Sequence, residues 1–281
     1  MIYLLQASDI MRIMCFTVDF DRDVNLAIPG RAEAGSLDRG SGTDARFSSS
    51  VRGARMLSGL LDEIGVPATY FAEGRTLEVA GDPSVFGGHE VGVHGYDHED
   101  LERCGDDDVR SIIERAKAAV RDVTGRSATS FRAPYMRPSD RISDALPDAG
   151  IKVDSSRYSP LSPSMIPYTV AGGRVTEIPV PEGTDSNGKK ISAYLWPMHE
   201  GRRSPEDYLG MASEVLEGVF VLATHTWHVC ESRSSGVMDT PEIERNIENM
   251  KKVLEGLLDM GYRAETVSRA ADAVGSVSGT P

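Results

Sequence analysis

Short apolar runs alternate along the chain with longer segments in which apolar residues recur every three to four positions. Runs of the first kind are typical of buried β-strands, and segments of the second kind are typical of amphipathic helices. The pattern predicts eight strands, at 13–18, 68–71, 90–93, 129–131, 151–153, 175–178, 219–223 and 263–266. It predicts five helices, at 50–64, 106–123, 139–149, 205–216 and 241–260. Strands that alternate with helices in this way indicate an α/β fold with a parallel sheet.

The chain reads as one domain, because no repeat of fixed period and no linker divides it. Residues 12–281 are predicted to form this domain, and residues 1–11 an N-terminal extension, since the strand-like pattern starts at Arg12. Eight strands with their helices favour a single distorted (β/α) TIM-like barrel of seven or eight strands over an open doubly wound sheet. In such a barrel, functional residues belong at the C-terminal ends of the strands.

The amino-acid composition argues against two classes of binding partner. The formal net charge is −13, and no cluster of basic residues stands out, so neither nucleic acid nor an anionic membrane is an expected partner. No run approaches the roughly 20 apolar residues of a membrane span. Cys15, Cys104 and Cys230 show no paired spacing, and the N-terminus lacks the features of a signal peptide, so we expect a cytoplasmic protein. The periodicity of the sequence does not determine the oligomeric state, so a homo-oligomer is compatible with it.

Two acidic residues follow the first predicted strand. Side chains alternate along a strand, so Asp19 and Asp21 project to the same side. Two carboxylates that point together are costly unless a cation or a proton separates their charges. A solvated acidic loop or a helix cap is an equally good interpretation of this segment alone.

Two histidines follow the strand predicted at 90–93. His94 and His98 are four residues apart, a spacing that presents two imidazoles to one point if the backbone turns helically. Two neutral imidazoles and one carboxylate make the three-ligand shell of a zinc ion that keeps a position open. Structural histidines are the alternative interpretation, and it is the one we apply to His89, which lies outside this spacing.

Three further polar groups follow predicted strands. Arg132 is a candidate ion-pair partner for a carboxylate, and Pro134 fixes a turn that could aim the Tyr135 amide into a cleft. The other two groups contain Asp154 and His225 respectively, and near the latter Trp227 is a candidate for either a substrate pocket or core packing. Random surface polarity would not place five such groups at the C-terminal ends of strands.

Taken together, these segments resemble a known family. TVDFD, HGYDH, RAPY, DSS and THTWH are similar, in this order, to the five motifs of the polysaccharide deacetylases with a NodB homology domain (carbohydrate esterase family 4). The resemblance extends over about residues 12–270 and includes VPATYFAEG at 66–74. It implies a distorted (β/α) barrel, a divalent metal and hydrolysis of an N-acyl or related amide bond.

The motifs depart from the commonest family pattern at four positions. Phe20 separates the two aspartates, Gly95 and Glu99 replace the usual Ser or Thr and Pro, and Ala223 replaces Leu. These variants are similar to the branch that contains peptidoglycan-deacetylase-like proteins, cyclic-imide hydrolases and cofactor-independent allantoinases. The resemblance to this branch weakens the case for a polysaccharide substrate and leaves the metal chemistry unchanged.

The resemblance also implies roles for individual residues. It implies that Asp21, His94 and His98 bind the metal, that Asp19 is the general base and that His225 is the general acid. His228 is an alternative acid by its position, although only His225 aligns with the family motif. Zn²⁺ is the preferred metal for two imidazoles and a carboxylate, and Co²⁺, Ni²⁺, Mn²⁺ and Fe²⁺ are alternatives.

Supporting roles follow for the remaining motif residues. Arg132 is expected to pair with Asp19, Asp154 to orient His225, and the Tyr135 amide to face the oxyanion together with the metal.

Three functions follow as hypotheses. The leading one is metal-dependent hydrolysis of a non-peptide carbon–nitrogen bond, with deacetylation of an N-acetylated sugar or polysaccharide preferred. Opening of a cyclic imide or ureide is the enzymatic alternative, and its substrate would be a small-molecule amide. A carbohydrate-binding barrel without activity is the alternative from another class, although retention of all the motif residues argues against it.

Overall fold

Eight helices and seventeen strands form the part of the chain that the computed structural model describes, which comprises residues 11–37, 45–185 and 187–277. The strands are β1 (Arg12–Phe20), β2 (Asn25–Ala27), β3 (Ala34–Ser36), β4 (Ala68–Ala72), β5 (Glu90–Val93), β6 (Ser130–Phe131), β7 (Val153–Asp154), β8 (Tyr158–Pro160), β9 (Ser164–Met165), β10 (Tyr168–Val170), β11 (Val175–Glu177), β12 (Val180–Thr184), β13 (Lys190–Ser192), β14 (Glu217–His225), β15 (Glu231–Ser232), β16 (Gly236–Val237) and β17 (Arg263–Ala264). The helices are α1 (Ser48–Ile64), α2 (Gly74–Ala80), α3 (Asp106–Thr124), α4 (Asp140–Ala145), α5 (Trp196–His199), α6 (Pro205–Ser213), α7 (Thr240–Asp259) and α8 (Val267–Val277).

One curled sheet organises the domain. Its strand order is β10-β11-β7-β6-β5-β4-β1-β14-β9, with β17 paired to β1 outside this path. Every neighbouring pair along the path is parallel except β10 and β11. The sheet has the shape of a half-barrel, and parallel strands bring their C-terminal ends to one edge of it.

Strand β1 lies between β4 and β14 in the sheet and is hydrophobic almost from end to end. Its residues from Ile13 to Phe20 are buried, because β14 and β4 flank it and helices cover the sheet. A strand buried on both faces reads as a continuous apolar run rather than an alternating one. Asp19 near the end of this strand is therefore held by its buried neighbours.

The helices complete the core and support the edge that carries the polar motifs. Helix α1 lies so close to the segment after β14 that a Cβ atom on Gly53 would be 1.9 Å from the Thr226 carbonyl oxygen. Only a residue without a side chain allows this approach of backbone to backbone. The loop that follows His225 is thus fixed by direct contact with α1.

The predicted fold class is confirmed, and all eight predicted strands and five predicted helices are present, with shifts at their ends. A smaller sheet of β8, β12 and β13 was not predicted, nor were the β2–β3 and β15–β16 hairpins. Apart from Met11, the predicted N-terminal extension lies outside the described residues. In the described ranges, no helix combines the length and apolar character needed to span a membrane.

Candidate active site

Two neighbouring strands bring Asp19 and His225 together. Asp19 of β1 pairs in register with His225, the last residue of β14. Partners in register on parallel strands direct their side chains to the same face of the sheet. The two residues proposed from the sequence as base and acid therefore lie side by side at the C-terminal edge of the sheet.

Arg132 fixes the carboxylate of Asp19 from the other side. Its Nη1 donates a hydrogen bond of 3.0 Å to Asp19 Oδ1, and its Nε and Nη2 donate to the carbonyl oxygen and hydroxyl of Ser155 at 2.8 and 3.0 Å. The guanidinium is completely buried and lies 4.5 Å from the centre of the Phe71 ring. A buried cation held at three atoms has little freedom to move, so it fixes the Asp19 carboxylate in place.

Asp21, His94 and His98 form a buried cluster beside Asp19. Three atoms, one from each side chain, lie within 4.8 Å of one another, and His98 Nε2 is 3.3 Å from Asp21 Oδ2. The two imidazoles approach through an irregular loop and not through the helical turn that their spacing suggested. Gly95 and His98 both have left-handed backbone conformations, with φ of 69° and 53°, which turn the loop back on itself.

Burial determines the charge states in this cluster. It lowers the pKa of His94, and it lowers the pKa of His98 to about 4, so both imidazoles are neutral near pH 7. Burial also raises the pKa of Asp21 well above its usual value, because a carboxylate is costly to bury without a cation. Neutral imidazole is the form that binds a metal, and a nearby cation would relieve the cost of burying Asp21.

Two hydrogen-bonding features fit a metal ligand set. His94 Nδ1 lies 2.8 Å from the Arg132 carbonyl oxygen and donates to it, which leaves Nε2 with its lone pair directed toward the cluster. Asp21 Oδ1 is buried and has no hydrogen-bond partner within the described residues. The donor set of two imidazole nitrogens and a carboxylate therefore fits a divalent metal.

A cavity of about 280 Å³ opens over these residues. It is lined by Asp19, Asn25, His94, His98, Tyr135, Met136, Arg137, Tyr158, Tyr194, Trp196, His225 and Arg233. The candidate base, the candidate acid and two candidate metal ligands thus face one cavity that an acyl group could enter.

Comparison with known proteins identifies proteins similar to this chain. The family described as polysaccharide deacetylase matches residues 51–153. A peptidoglycan deacetylase from Helicobacter pylori is 29% identical over 130 residues, which cover 45% of this chain and 43% of that protein. These matches show that part of the chain is similar to polysaccharide deacetylases.

Solved structures share the fold of this chain. A Mycobacterium smegmatis protein described as a polysaccharide deacetylase has a TM-score of 0.63 and 22% identity, and the match covers 97% of this chain and 93% of that protein. A carbohydrate esterase family 4 pseudoenzyme from Bacillus anthracis has a TM-score of 0.55 and 13% identity, over 92% of this chain and 65% of the other. The sequence matches span less than half the length of the curated relatives.

Asp154 does not occupy the place that the sequence suggested. It lies on β7, and four strands of the path separate β7 from His225 on β14. Its carboxylate accepts a hydrogen bond from Ser156, whose hydroxyl oxygen in turn accepts from the Ala133 amide at 2.8 Å. Burial raises the pKa of Asp154 to about 6. The expected contact with His225 is therefore wrong, and Asp154 instead supports the loop that follows Arg132.

Trp227 does not line the cavity. Its side chain is completely buried and stacks on His228 with ring centres 4.0 Å apart. The tryptophan that lines the cavity is Trp196, the first residue of α5. The pocket interpretation of Trp227 is wrong, because the chain turns into a 3-10 helix after His225 and directs the indole into the core.

His225 and His228 have different surroundings. His225 lines the cavity, and its Nε2 is 3.9 Å from Asp21 Oδ2. His228 is completely buried, and its Nε2 is 2.9 Å from Glu200 Oε1. Burial lowers the pKa of both histidines, in His228 to about 4. Only His225 of this pair is placed to reach a molecule in the cavity.

The Tyr135 backbone is strained, with φ of 60°. Its hydroxyl donates a hydrogen bond of 3.0 Å to the Leu26 carbonyl oxygen, and its ring meets the His98 ring edge to face at 4.5 Å. A tyrosine in the left-handed region persists only where surrounding contacts hold it. Tyr135 therefore forms part of the wall beside the histidines.

Two groups of functional residues were missed in the sequence. Tyr194 donates a short hydrogen bond to Asp19 Oδ2. Arg22 donates to Glu73 through its amide at 2.7 Å and through its Nε at 3.0 Å, and its Nη2 donates to the Asp97 carbonyl oxygen at 2.8 Å. Arg22 thus ties the loop after β1 to Glu73 at the end of β4 and, through Asp97, to the loop that carries His98. The sequence contained a signal for this pair, because Glu73 lies two residues beyond the strand predicted at 68–71.

Proposed function

We propose that this chain is a metal-dependent deacetylase that acts on an N-acetylated sugar or polysaccharide. The observation that carries the proposal is the convergence of Asp21, His94 and His98 within 4.8 Å, beside Asp19 and His225 and under one cavity. Similarity to polysaccharide deacetylases over residues 51–153 supports the class of reaction.

Asp21, His94 and His98 would hold the metal. When bound there, a divalent metal polarises the acyl carbonyl and stabilises the negative charge that develops on its oxygen. Two imidazole nitrogens and one carboxylate suit Zn²⁺, and the same set accepts Co²⁺, Ni²⁺, Mn²⁺ or Fe²⁺.

Asp19 and His225 would move the protons. Arg132 occupies Asp19 Oδ1, so Oδ2, which faces His94 Nε2 at 3.8 Å, is the oxygen that takes the proton of the attacking water. His225, which lines the same cavity, gives a proton to the departing nitrogen. The backbone amide of Tyr135 is proposed to donate to the oxyanion, in accord with its place in the cavity wall.

Removal and return of the metal tests the function. The protein as purified, a chelator-treated sample and the same sample with Zn²⁺ added are assayed for acetate released from N-acetylated chitooligosaccharides. We expect release by the first and third samples only. Succinimide and allantoin are assayed in parallel: opening of either ring without acetate release would favour the cyclic-amide function, and bound metal without any turnover would favour the inactive barrel.

Asp19→Asn is expected to leave the metal bound and to lower turnover by about 10²-fold or more. The amide keeps the shape of the carboxylate and cannot take a proton from water. Metal content by atomic absorption and acetate release by the same preparation are the two measurements. Loss of metal in proportion to loss of turnover would instead make Asp19 a ligand.

A further inference from the structure

The hydroxyl of Tyr194 lies between the candidate base and the candidate acid. It donates a hydrogen bond to Asp19 Oδ2 and lies 3.4 Å from His225 Nε2, and the rings of Tyr194 and His225 are 5.0 Å apart. Within the described residues, no hydrogen bond joins the side chains of Asp19 and His225 directly. Tyr194 is thus the group through which these two side chains are connected.

The fold holds this hydroxyl in place. The backbone on either side of Tyr194 bonds to β14, where Leu195 N donates to the Ala223 carbonyl oxygen at 2.7 Å and Ala223 N donates to the Ala193 carbonyl oxygen at 2.8 Å. From the other side, the Tyr208 hydroxyl donates to the Tyr194 carbonyl oxygen at 3.1 Å. The side chain is 3% exposed and still lines the cavity, so bulk water has little access to its hydroxyl.

Amide hydrolysis requires removal of a proton by the base and delivery of a proton by the acid, the two groups that Tyr194 connects. The attacking water loses a proton and the departing nitrogen gains one, so each turnover leaves a proton at the base and needs one at the acid. Arg132 occupies the other oxygen of Asp19, and Tyr194 is bonded to the oxygen that would carry the proton.

We propose that Tyr194 relays the proton from Asp19 to His225, an inference that rests on the proposed function. The O–H bond on Asp19 Oδ2 breaks as its proton passes to the Tyr194 oxygen, while the Tyr194 hydroxyl passes its own proton to His225 Nε2. Asp19 returns to carboxylate, Tyr194 remains a neutral phenol and His225 becomes imidazolium. His225 then protonates the departing nitrogen and returns to neutral imidazole, so every proton is accounted for.

The Tyr194→Phe variant distinguishes a proton relay from a purely positioning role of Tyr194. A relay affects the rate only for a substrate whose leaving group needs a proton. On an N-acetyl amide we expect kcat to fall by about 10²-fold, while an activated aryl acetate, whose leaving group departs unprotonated, loses at most a few fold. Tyr262→Phe is the matched control: its hydroxyl is equally buried, donates to the Ala212 carbonyl oxygen at 2.8 Å and lies outside the cavity lining. The control should retain both activities.

The double variant Tyr194→Phe, His225→Ala gives the second measurement. If the relay works through His225, the double variant is no slower on the amide than His225→Ala alone, since the step that Tyr194 serves has already been lost. Metal content should match the parent in all variants. Equal damage to amide and ester by Tyr194→Phe, or losses that multiply in the double variant, would overturn the relay while parent activity keeps the proposed function intact. A parent that releases no acetate would instead count against the proposed function itself.

Discussion

His94→Ala and His98→Ala are each expected to abolish tight binding of divalent metal and to reduce turnover to the level of the chelated protein. Each change removes one of three protein ligands from a site that keeps a position open, and so forfeits much of the coordination energy. The Asp21 carboxylate would remain buried, and only one imidazole would remain to bind a cation together with it. Metal content after dialysis against a weak chelator, and acetate release by the same samples, measure the two effects.

His89→Ala is the matched control for these variants. His89 is buried to a similar degree, and it lies beside Asp62 at 3.9 Å and the Tyr70 ring rather than in the cluster. The control should keep its full complement of metal. Full occupancy in His94→Ala or His98→Ala would refute the ligand assignment, and circular dichroism of each variant shows whether a loss of metal is only a loss of fold.

The sequence predicts the candidate site residues best where they lie on, or directly after, the strands of the sheet. Asp19, His94, Arg132 and His225 all lie at or directly after C-terminal ends of parallel strands, and such ends meet at one edge whatever the loops do. The apolar runs and the polar residues that follow them are therefore sufficient to predict that these four residues lie close together.

Side-chain direction beyond the strand ends is what the sequence could not provide. Asp154 also follows this rule, and its strand does end at the same edge, but four strands of the path lie between it and His225. Trp227 lies only two residues beyond His225, yet the turn there rotates the indole into the core. Distance along the sheet order and the handedness of a turn depend on tertiary packing, which single-sequence periodicity does not contain.

Tyr194 could not have been found in the sequence for a related reason. It belongs to no strand of its own and reaches the site through a single bridge to Ala223 of β14. Its flanking residues carry no strong periodic pattern, so the pairing depends on the rest of the sheet being in place. Residues of this kind are identified only from coordinates.

His225→Ala should slow amide hydrolysis by roughly 10²- to 10⁴-fold in kcat, because the departing nitrogen needs a proton to leave. An activated aryl acetate departs without that proton, so the same variant should lose much less on the ester. The metal should stay bound, since the three ligand atoms belong to Asp21, His94 and His98. Parallel kcat measurements on an N-acetylated chitooligosaccharide and on the ester, with metal content, test the expectation.

His228→Ala is the comparison variant for His225→Ala, because both histidines lie in the same short segment. The His228 ring is completely buried, bonded to Glu200 and stacked on Trp227, so its loss would act through packing and should affect the amide and the ester equally. The assignment of the acid to His225 would be refuted if His228→Ala alone damaged the amide selectively. Equal damage to both substrates by His225→Ala would refute it as well, because a group that only shapes the cavity or supports the oxyanion serves both reactions.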